Sequence, residues 1–312
     1  MNIKIFISYK DRHTLIKSDI LTPIQTGRAI ASEIFYEMIG DDTGDNISKE
    51  NTKYNELTAQ YWAWKNYDKI GNPDYIGFMH YRRHFVFDSK LKFLPYTWLP
   101  KSSFHYIKQI DNNYLKSLSN DKILPHLNTH PNCIAYNKFD VFYKSFSLSI
   151  KNHWINGGMG PQKEKIIYIF EDVVKTFFPE YKSTLNTFLN GRYMYCCNSF
   201  IMHKELFFEY SQFLFKILSE IDKKVDSSTF NKKQIRFLGY LGELILSLFI
   251  MQKQLDNKFK LIELSGTYIS KDYKRIKRKY IKYKIFTMLT FGKKHKYYLK
   301  KYIRTLNCMK RK

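Results

Sequence analysis

The stretch Tyr75-Ile-Gly-Phe-Met-His80-Tyr-Arg82-Arg83-His84-Phe85 constrains this chain more than any other. Ile76, Phe78 and Met79 around Gly77 form an apolar run of strand length, introduced by the turn formers Gly71-Asn72-Pro73-Asp74. In open α/β sheets, ligands sit in the crevice at the carboxyl ends of the strands. A buried strand that ends in His80-Tyr-Arg82-Arg83 therefore aims an imidazole and two guanidinium forks at that crevice. Guanidinium forks match phosphate oxygens in geometry and charge. Taken alone, the stretch also fits a surface loop whose arginines pair with nearby carboxylates.

Strand and helix signals alternate through the rest of the chain. Ile3–Tyr9 is a β-rich run and the first expected buried strand. Pro23-Ile-Gln25-Thr-Gly27-Arg28 reads as a loop entering a short helix over 29–38, followed by the turn-rich, acidic Gly40–Ser48. From Asn51 to Asn66 the spacing predicts one helix, with Tyr54, Leu57, Tyr61 and Trp64 on one stripe and Glu56, Gln60 and Ala63 on another face. Residues 86–132 give weak signals and read as an irregular insertion. Further strands are expected over Phe139–Tyr143, Tyr193–Met202 and Phe259–Leu264, and helices over 163–178, 204–220 and 234–252. This interleaving predicts an α/β fold, a mixed sheet flanked by helices.

The net charge of +24 is unevenly placed: Lys271–Lys312 holds 17 Lys or Arg against one acid, Asp272. The expected organisation is a globular domain over 1–265 and a basic amphipathic tail over 266–312. With 44% hydrophobic and 17% aromatic residues the chain is globular rather than disordered. Cys133, Cys196, Cys197 and Cys308 show neither a disulfide framework nor zinc spacing, which fits a reducing compartment. Met1–Ser8 lacks the regions of a signal peptide, and no run reaches the length of a membrane span, so a cytoplasmic location is expected.

Three further places bear chemistry. The acids of Asp41–Ser48 suit either a divalent cation or a tight loop in which Asp and Asn bond their own backbone, although the calcium-loop pattern is absent. Glu243 is a carboxylate on an otherwise apolar helix, on one face with Arg236 and Gly239; it is either paired, with Arg236 or another base, or poised for chemistry. Asn198 in Cys196-Cys197-Asn198-Ser199 is suited to a sugar hydroxyl or to satisfying backbone groups.

Together, Pro23–Arg28, Gly40–Ser48, Asn51–Asn66 with Asn55-Glu-Leu-Thr-Ala-Gln-Tyr-Trp-Ala-Trp64, His80–Arg83, Asn198–Met202 and Arg236–Glu243 closely resemble the bacterial DUF4422 family over residues 2–265. That resemblance implies a GT-A type glycosyltransferase of capsule, exopolysaccharide or lipopolysaccharide synthesis, with a Rossmann-like half that binds a nucleotide sugar, a UDP-sugar by expectation. Gln25, Arg28, Asp45, Asn46, Glu56, Gln60, His80, Arg82 and Arg83 are then expected to bind the donor, Asn198 and Arg236 to contact sugar or acceptor, and Glu243 to deprotonate the acceptor hydroxyl. GT-A enzymes usually place Asp-x-Asp, a metal ligand, where this chain has His80-Tyr-Arg82-Arg83. Arginines neutralise a leaving diphosphate as a metal does, so no cofactor is expected to be required, with Mn or Mg held by Asp41, Asp42 and Asp45 as the alternative. The basic tail is expected to hold the protein on the anionic inner face of the cell membrane, near a glycan or lipid-linked acceptor. Two rival functions remain: transfer of a sugar phosphate, and non-enzymatic binding of a polyanion or nucleic acid. No RNA- or DNA-binding motif supports the latter, so nucleic acid is not an expected partner.

Overall fold

The computed structural model describes residues 1–88, 94–95, 104–142, 147–157 and 162–270, together with residues 274 and 278. The strands are β1 (Ile3–Tyr9), β2 (Leu21–Gln25), β3 (Ile39–Gly40), β4 (Tyr75–His80), β5 (Leu94–Pro95), β6 (Phe104–Ile107), β7 (Cys133–Tyr136), β8 (Phe139–Asp140), β9 (Tyr193–Met194), β10 (Phe200–His203), β11 (Leu261–Leu264) and β12 (Gly266–Ile269). The helices are α1 (Asn51–Tyr54), α2 (Leu57–Lys65), α3 (Asn112–Lys116), α4 (Asn120–Leu127), α5 (Ile150–Asn156), α6 (Lys163–Phe177), α7 (Lys182–Asn190), α8 (Lys204–Lys224) and α9 (Phe237–Lys253).

Seven strands form the central sheet in the order β11-β7-β10-β4-β1-β2-β3, as the alternating signals predict. β3, β2, β1 and β4 run parallel, and β10 runs antiparallel to both β4 and β7. Alternation along the strands feeds two cores: Phe6, Ile76 and Phe78 face one, and Ile5, Ile7, Tyr75 and Met79 face the other. Gly77 sits where β10 comes closest, since a Cβ there would lie 2.7 Å from Ile201 Cγ1.

One consequence of this register sets up the site. The carboxyl ends of β1, β2, β3, β4, β7 and β11 and the amino end of β10 lie at the same end of the sheet. Thr26–Arg28, Asp41–Asp42, Tyr81–Arg83 and Asn198–Ser199 all emerge there.

The structure departs from the sequence expectations at several points, each with a local cause. The helix expected over 29–38 is only a single turn, Arg28–Ile30. The Gln25 side chain holds the following backbone open, its Nε2 donating to Glu33 O (2.6 Å) and its Oε1 accepting from Phe35 N (2.9 Å). The helix expected over 51–66 breaks at Asn55, whose φ is +52°, so its buried face shifts to Leu57, Thr58, Gln60 and Ala63 while Tyr61 and Trp64 pack half-buried against Phe215. The strand expected over 193–202 is split by Cys197 and Asn198, both at positive φ, into β9 and β10 in different sheets. Within 86–132, α3 and α4 supply Tyr114, Ile123 and Leu127 to the second core instead of an irregular insertion. Finally, the fold passes residue 265: β12 pairs with β6 in a second sheet, so Gly266–Ile269 belongs to the globular unit and not to the tail. The basic segment 271–312 otherwise lies outside the described residues. Among the described residues no helix is long and apolar enough to cross a membrane.

Gly239 shows how tightly the break at Asn55 is fitted. A Cβ at position 239 would collide with Asn55 Nδ2. Gly239→Ala should therefore destabilise the protein by about 1–3 kcal/mol in a denaturant titration. Adding Asn55→Gly, which keeps the positive φ and removes the obstacle, should recover much of that loss.

Candidate active site

The His80–Arg83 segment is a tight turn rather than a loose loop. His80 N donates to Arg83 O (3.2 Å), and Arg83 N donates back to His80 O (2.8 Å). Arg82 N donates to His80 Nδ1 (3.3 Å), which leaves the ring proton on Nε2. Burial, then the charges of Arg83 and Arg82, hold His80 well below the usual imidazole range, so it is neutral at pH 7. β12 clamps the turn from outside: Thr267 N donates to His84 O (2.8 Å) and Ile269 N to Arg82 O (2.9 Å).

Aromatic rings frame the two guanidiniums. Arg82 lies 5.0 Å from the Tyr81 ring centroid and 5.8 Å from that of Tyr268, and Arg83 lies 5.2 Å from Tyr268. Tyr81 is itself stacked on His13, centroids 4.0 Å apart and planes within 18°. The two arginines differ in their partners. Arg82 has no carboxylate partner among the described residues, and its buried Nε makes no hydrogen bond.

Arg83 is compensated. Burial opposes its charge, but Cys197, Tyr268, Glu243 and Cys196 around it raise its proton affinity overall. Of these four, Glu243 is the carboxylate. The Glu243 carboxylate thus lies within electrostatic reach of Arg83. Arg236 stands exposed just before α9, where its Nε donates to Asn55 Oδ1 (2.7 Å) and its charge still reaches His80.

Asp41 organises the neighbouring wall. Fully buried, it accepts from Gly27 N (2.8 Å), Arg28 N (3.0 Å), Ser48 Oγ (2.5 Å) and Thr58 Oγ1 (2.6 Å). Gly27 takes φ +65° and has the Asn51 side chain against it, so no larger residue fits. This arrangement presents Arg28, whose Nε is buried and makes no hydrogen bond and lies 3.9 Å from Asp42. Asp42 Oδ1 is likewise buried without a hydrogen bond.

Asn198 joins three segments. Its Nδ2 donates to Glu56 Oε1 (2.9 Å) and Gly239 O (2.8 Å), while its backbone O accepts from Gln60 Nε2 (2.8 Å). The orphaned Asn198 Oδ1 rests against Gly242, where a Cβ would approach to 2.8 Å. Asn198 is thus aimed at protein groups and fixes one oxygen of Glu56.

The structure brings His80, Arg82, Arg83, Arg236 and Glu243 together, and separately joins Glu56, Gln60 and Asn198. Gln25 spends both ends of its amide on backbone. Asp45 accepts from Tyr61 (3.2 Å), and Asn46 bonds the backbone of its own loop at Gly44 and Ser48. The carboxylates of Asp41 and Asp45 thus turn to different partners, and among the described residues no group of three or more His, Cys, Asp or Glu is placed to hold a metal ion. Sequence reasoning missed Tyr268, Tyr81 and the hub role of Asp41. Tyr268 sits in a lysine- and tyrosine-rich stretch that carries no strand periodicity of its own.

With this geometry in hand, comparison with known proteins is informative. Residues 4–254 match the family model described as a domain of unknown function, DUF4422. The chain belongs to the DUF4422 family. Among solved structures, a chain described as the apo form of WbbM, a bifunctional glycosyltransferase, is similar at 30% identity and a TM-score of 0.79. The match covers 86% of this chain and 46% of that one, so this DUF4422 chain spans less than half the length of its structural relative. No curated protein matches.

Asp41→Ala tests the hub. It leaves the Gly27 and Arg28 N–H groups and the Ser48 hydroxyl without this acceptor, while Thr58 Oγ1 keeps Asn55 O, and should cost about 3 kcal/mol in chemical denaturation. Asp41→Asn, which preserves part of the bonding, should cost less.

Proposed function

We propose that this protein is a glycosyltransferase that moves a sugar from a nucleotide-sugar donor, a UDP-sugar by preference, to a glycan acceptor. The observation that carries the reading is Arg82, a half-buried guanidinium framed by Tyr81 and Tyr268, with an orphaned Nε and no carboxylate partner among the described residues. A cation left uncompensated at the strand ends is suited to a diphosphate. The structural likeness to WbbM supports the same reaction class.

In the proposed inverting reaction the acceptor hydroxyl oxygen attacks the anomeric carbon. The bond from that carbon to the diphosphate oxygen breaks, and the nucleoside diphosphate leaves with the electron pair. Arg82 stabilises the charge that gathers on it, and Arg28 and Arg236 extend the cationic surface around the donor. Glu243 takes the hydroxyl proton as the general base, its carboxylate lying within electrostatic reach of Arg83. His80, neutral, offers Nε2–H as a donor. Gln60 and Asn198 hold Glu56 toward the sugar, while Gln25, Asp45 and Asn46 shape the loops beside the donor. A second reading gives the base to Glu56, because Asn198 fixes one of its oxygens and it has no cationic partner among the described residues.

The basic segment 271–312 is proposed to hold the enzyme on an anionic membrane surface, where a lipid-linked acceptor of surface-polysaccharide synthesis is presented. Vesicle flotation tests this: the full chain should float with anionic vesicles at low salt, and a chain ending near Ser270 should not.

A nucleotide-sugar screen, scored by donor hydrolysis and product mass, tests the function. Transfer of the sugar without its phosphate is expected, with activity retained in EDTA. Arg82→Ala should weaken donor binding roughly tenfold or more. Glu243→Gln should lower turnover about 10²–10⁴-fold with donor affinity nearly intact. Normal turnover by Glu243→Gln alongside loss in Glu56→Gln would move the base to Glu56. Activity restored only by manganese would overturn the metal-free mechanism.

A further inference from the structure

A second site lies at the other half of the parallel strands. Between the starts of β1 and β2, the edge strand β3 and the helix α2 is a cavity of about 430 Å³, lined among others by Lys4, Phe6, Thr22, Thr43, Trp62 and Lys69. Its volume is in the range of small-molecule sites, about 300–1,000 Å³. Lys4 is set apart from the arginine turn by the register, pairing with Ile76 whereas Ser8 pairs with His80, while the β3 side of the lining, at Gly40, lies level with Gln25 and beside Arg28. Four residues of strand separate the two levels, roughly 13 Å.

Lys4 is the anomaly here. β1 is a central strand, and every residue of it except Lys4 is buried. Lys4 is half-buried, and among the described residues it has neither an ion pair nor a hydrogen bond. A lysine in a central strand is a poor choice for packing, and no carboxylate lines the cavity that it enters. Lys69, at the rim, gives one of its three donor positions to Asn66 Oδ1 (2.9 Å) and keeps the others. Ile39 and Ile70 line the cavity with apolar surface above the buried rings of Phe6 and Trp62, and Trp62 Nε1 donates to Thr43 Oγ1 (3.0 Å). The lining is therefore cationic at two points, apolar between them and free of acid.

We propose that this cavity binds a small molecule with a flat or apolar body and one anionic group, a phosphate ester or a carboxylate, with Lys4 as its principal counter-charge. This site does not depend on the donor-site reading. Titration calorimetry with phenyl phosphate, benzoate and inorganic phosphate distinguishes the contributions. At least one aromatic anion should bind wild type and Arg82→Ala alike and bind Lys4→Met at least tenfold more weakly. Inorganic phosphate, lacking the body, should bind more weakly than phenyl phosphate. The tighter of phenyl phosphate and benzoate identifies the anionic group. Lys69→Ala, at the exposed rim, provides a second variant and should weaken the same probe severalfold even if Lys4→Met fails to fold. Affinity for a nucleoside diphosphate should be unchanged in Lys4→Met, which separates this site from the donor site. Binding lost in Arg82→Ala and kept in the lysine variants would overturn the proposal. So would failure of both aromatic anions to bind wild type.

Discussion

Arg83 carries a permanent charge into the apolar end of a seven-stranded sheet, and the surrounding architecture is its compensation. Taking an ion of that size out of water costs several kcal/mol even after relaxation, and Arg83, half-buried, bears part of that cost. Glu243, on α9 and 160 residues further along the chain, is the carboxylate within electrostatic reach of it. Tyr268 covers the guanidinium, and β12 clamps the turn that carries it. Arg82, beside it, has no carboxylate partner among the described residues and keeps a buried Nε without a hydrogen bond. The same turn keeps His80 neutral, because burial and the two arginines all disfavour its protonation.

The elements that reach this point are bent for it. Asn55, Cys197 and Asn198 all take positive φ, a conformation that branched or bulky residues avoid. Each bend turns a side chain toward α9: Asn55 against Gly239 and Arg236, and Asn198 against Gly239 and Gly242. Two glycines in the middle of a helix are unfavourable by about 1 kcal/mol each relative to alanine. In α9 they admit the two asparagines that join the amino-terminal motifs to the carboxyl-terminal half of the sheet. The buried Asp41 does the corresponding work on the other side, where four hydrogen bonds fix the loop that presents Arg28.

Much of this was legible in the residues. β1 and β4 are apolar runs of strand length, and α6, α8 and α9 have long repeats that no strand would carry. The stretch ending at Arg83 reads as a strand delivering cations to the carboxyl end of a sheet, and β4 and its register put them at that end. What was hidden depends on distant contacts. Helical spacing links Glu243 to Arg236, its neighbour on the same face, and says nothing of Arg83 on another element. Periodicity continues through Asn55, so the break there shows only when Gly239 is seen against it. α3 and α4 are short, and Pro125 within α4 reads as a helix breaker from sequence. Asp41 lies in a run of acids that suggests a cation, yet its oxygens are taken up by backbone and hydroxyl donors.

The account stands on Arg82 binding the second phosphate of the donor. The affinities of uridine, UMP and UDP for the wild-type protein and for Arg82→Ala, measured without divalent cation, test this most directly. The account predicts that wild type gains affinity on going from UMP to UDP, and that Arg82→Ala loses most of this gain while binding uridine unchanged. Equal losses for uridine and UDP, or a preference for UDP that appears only when manganese is added, would contradict it.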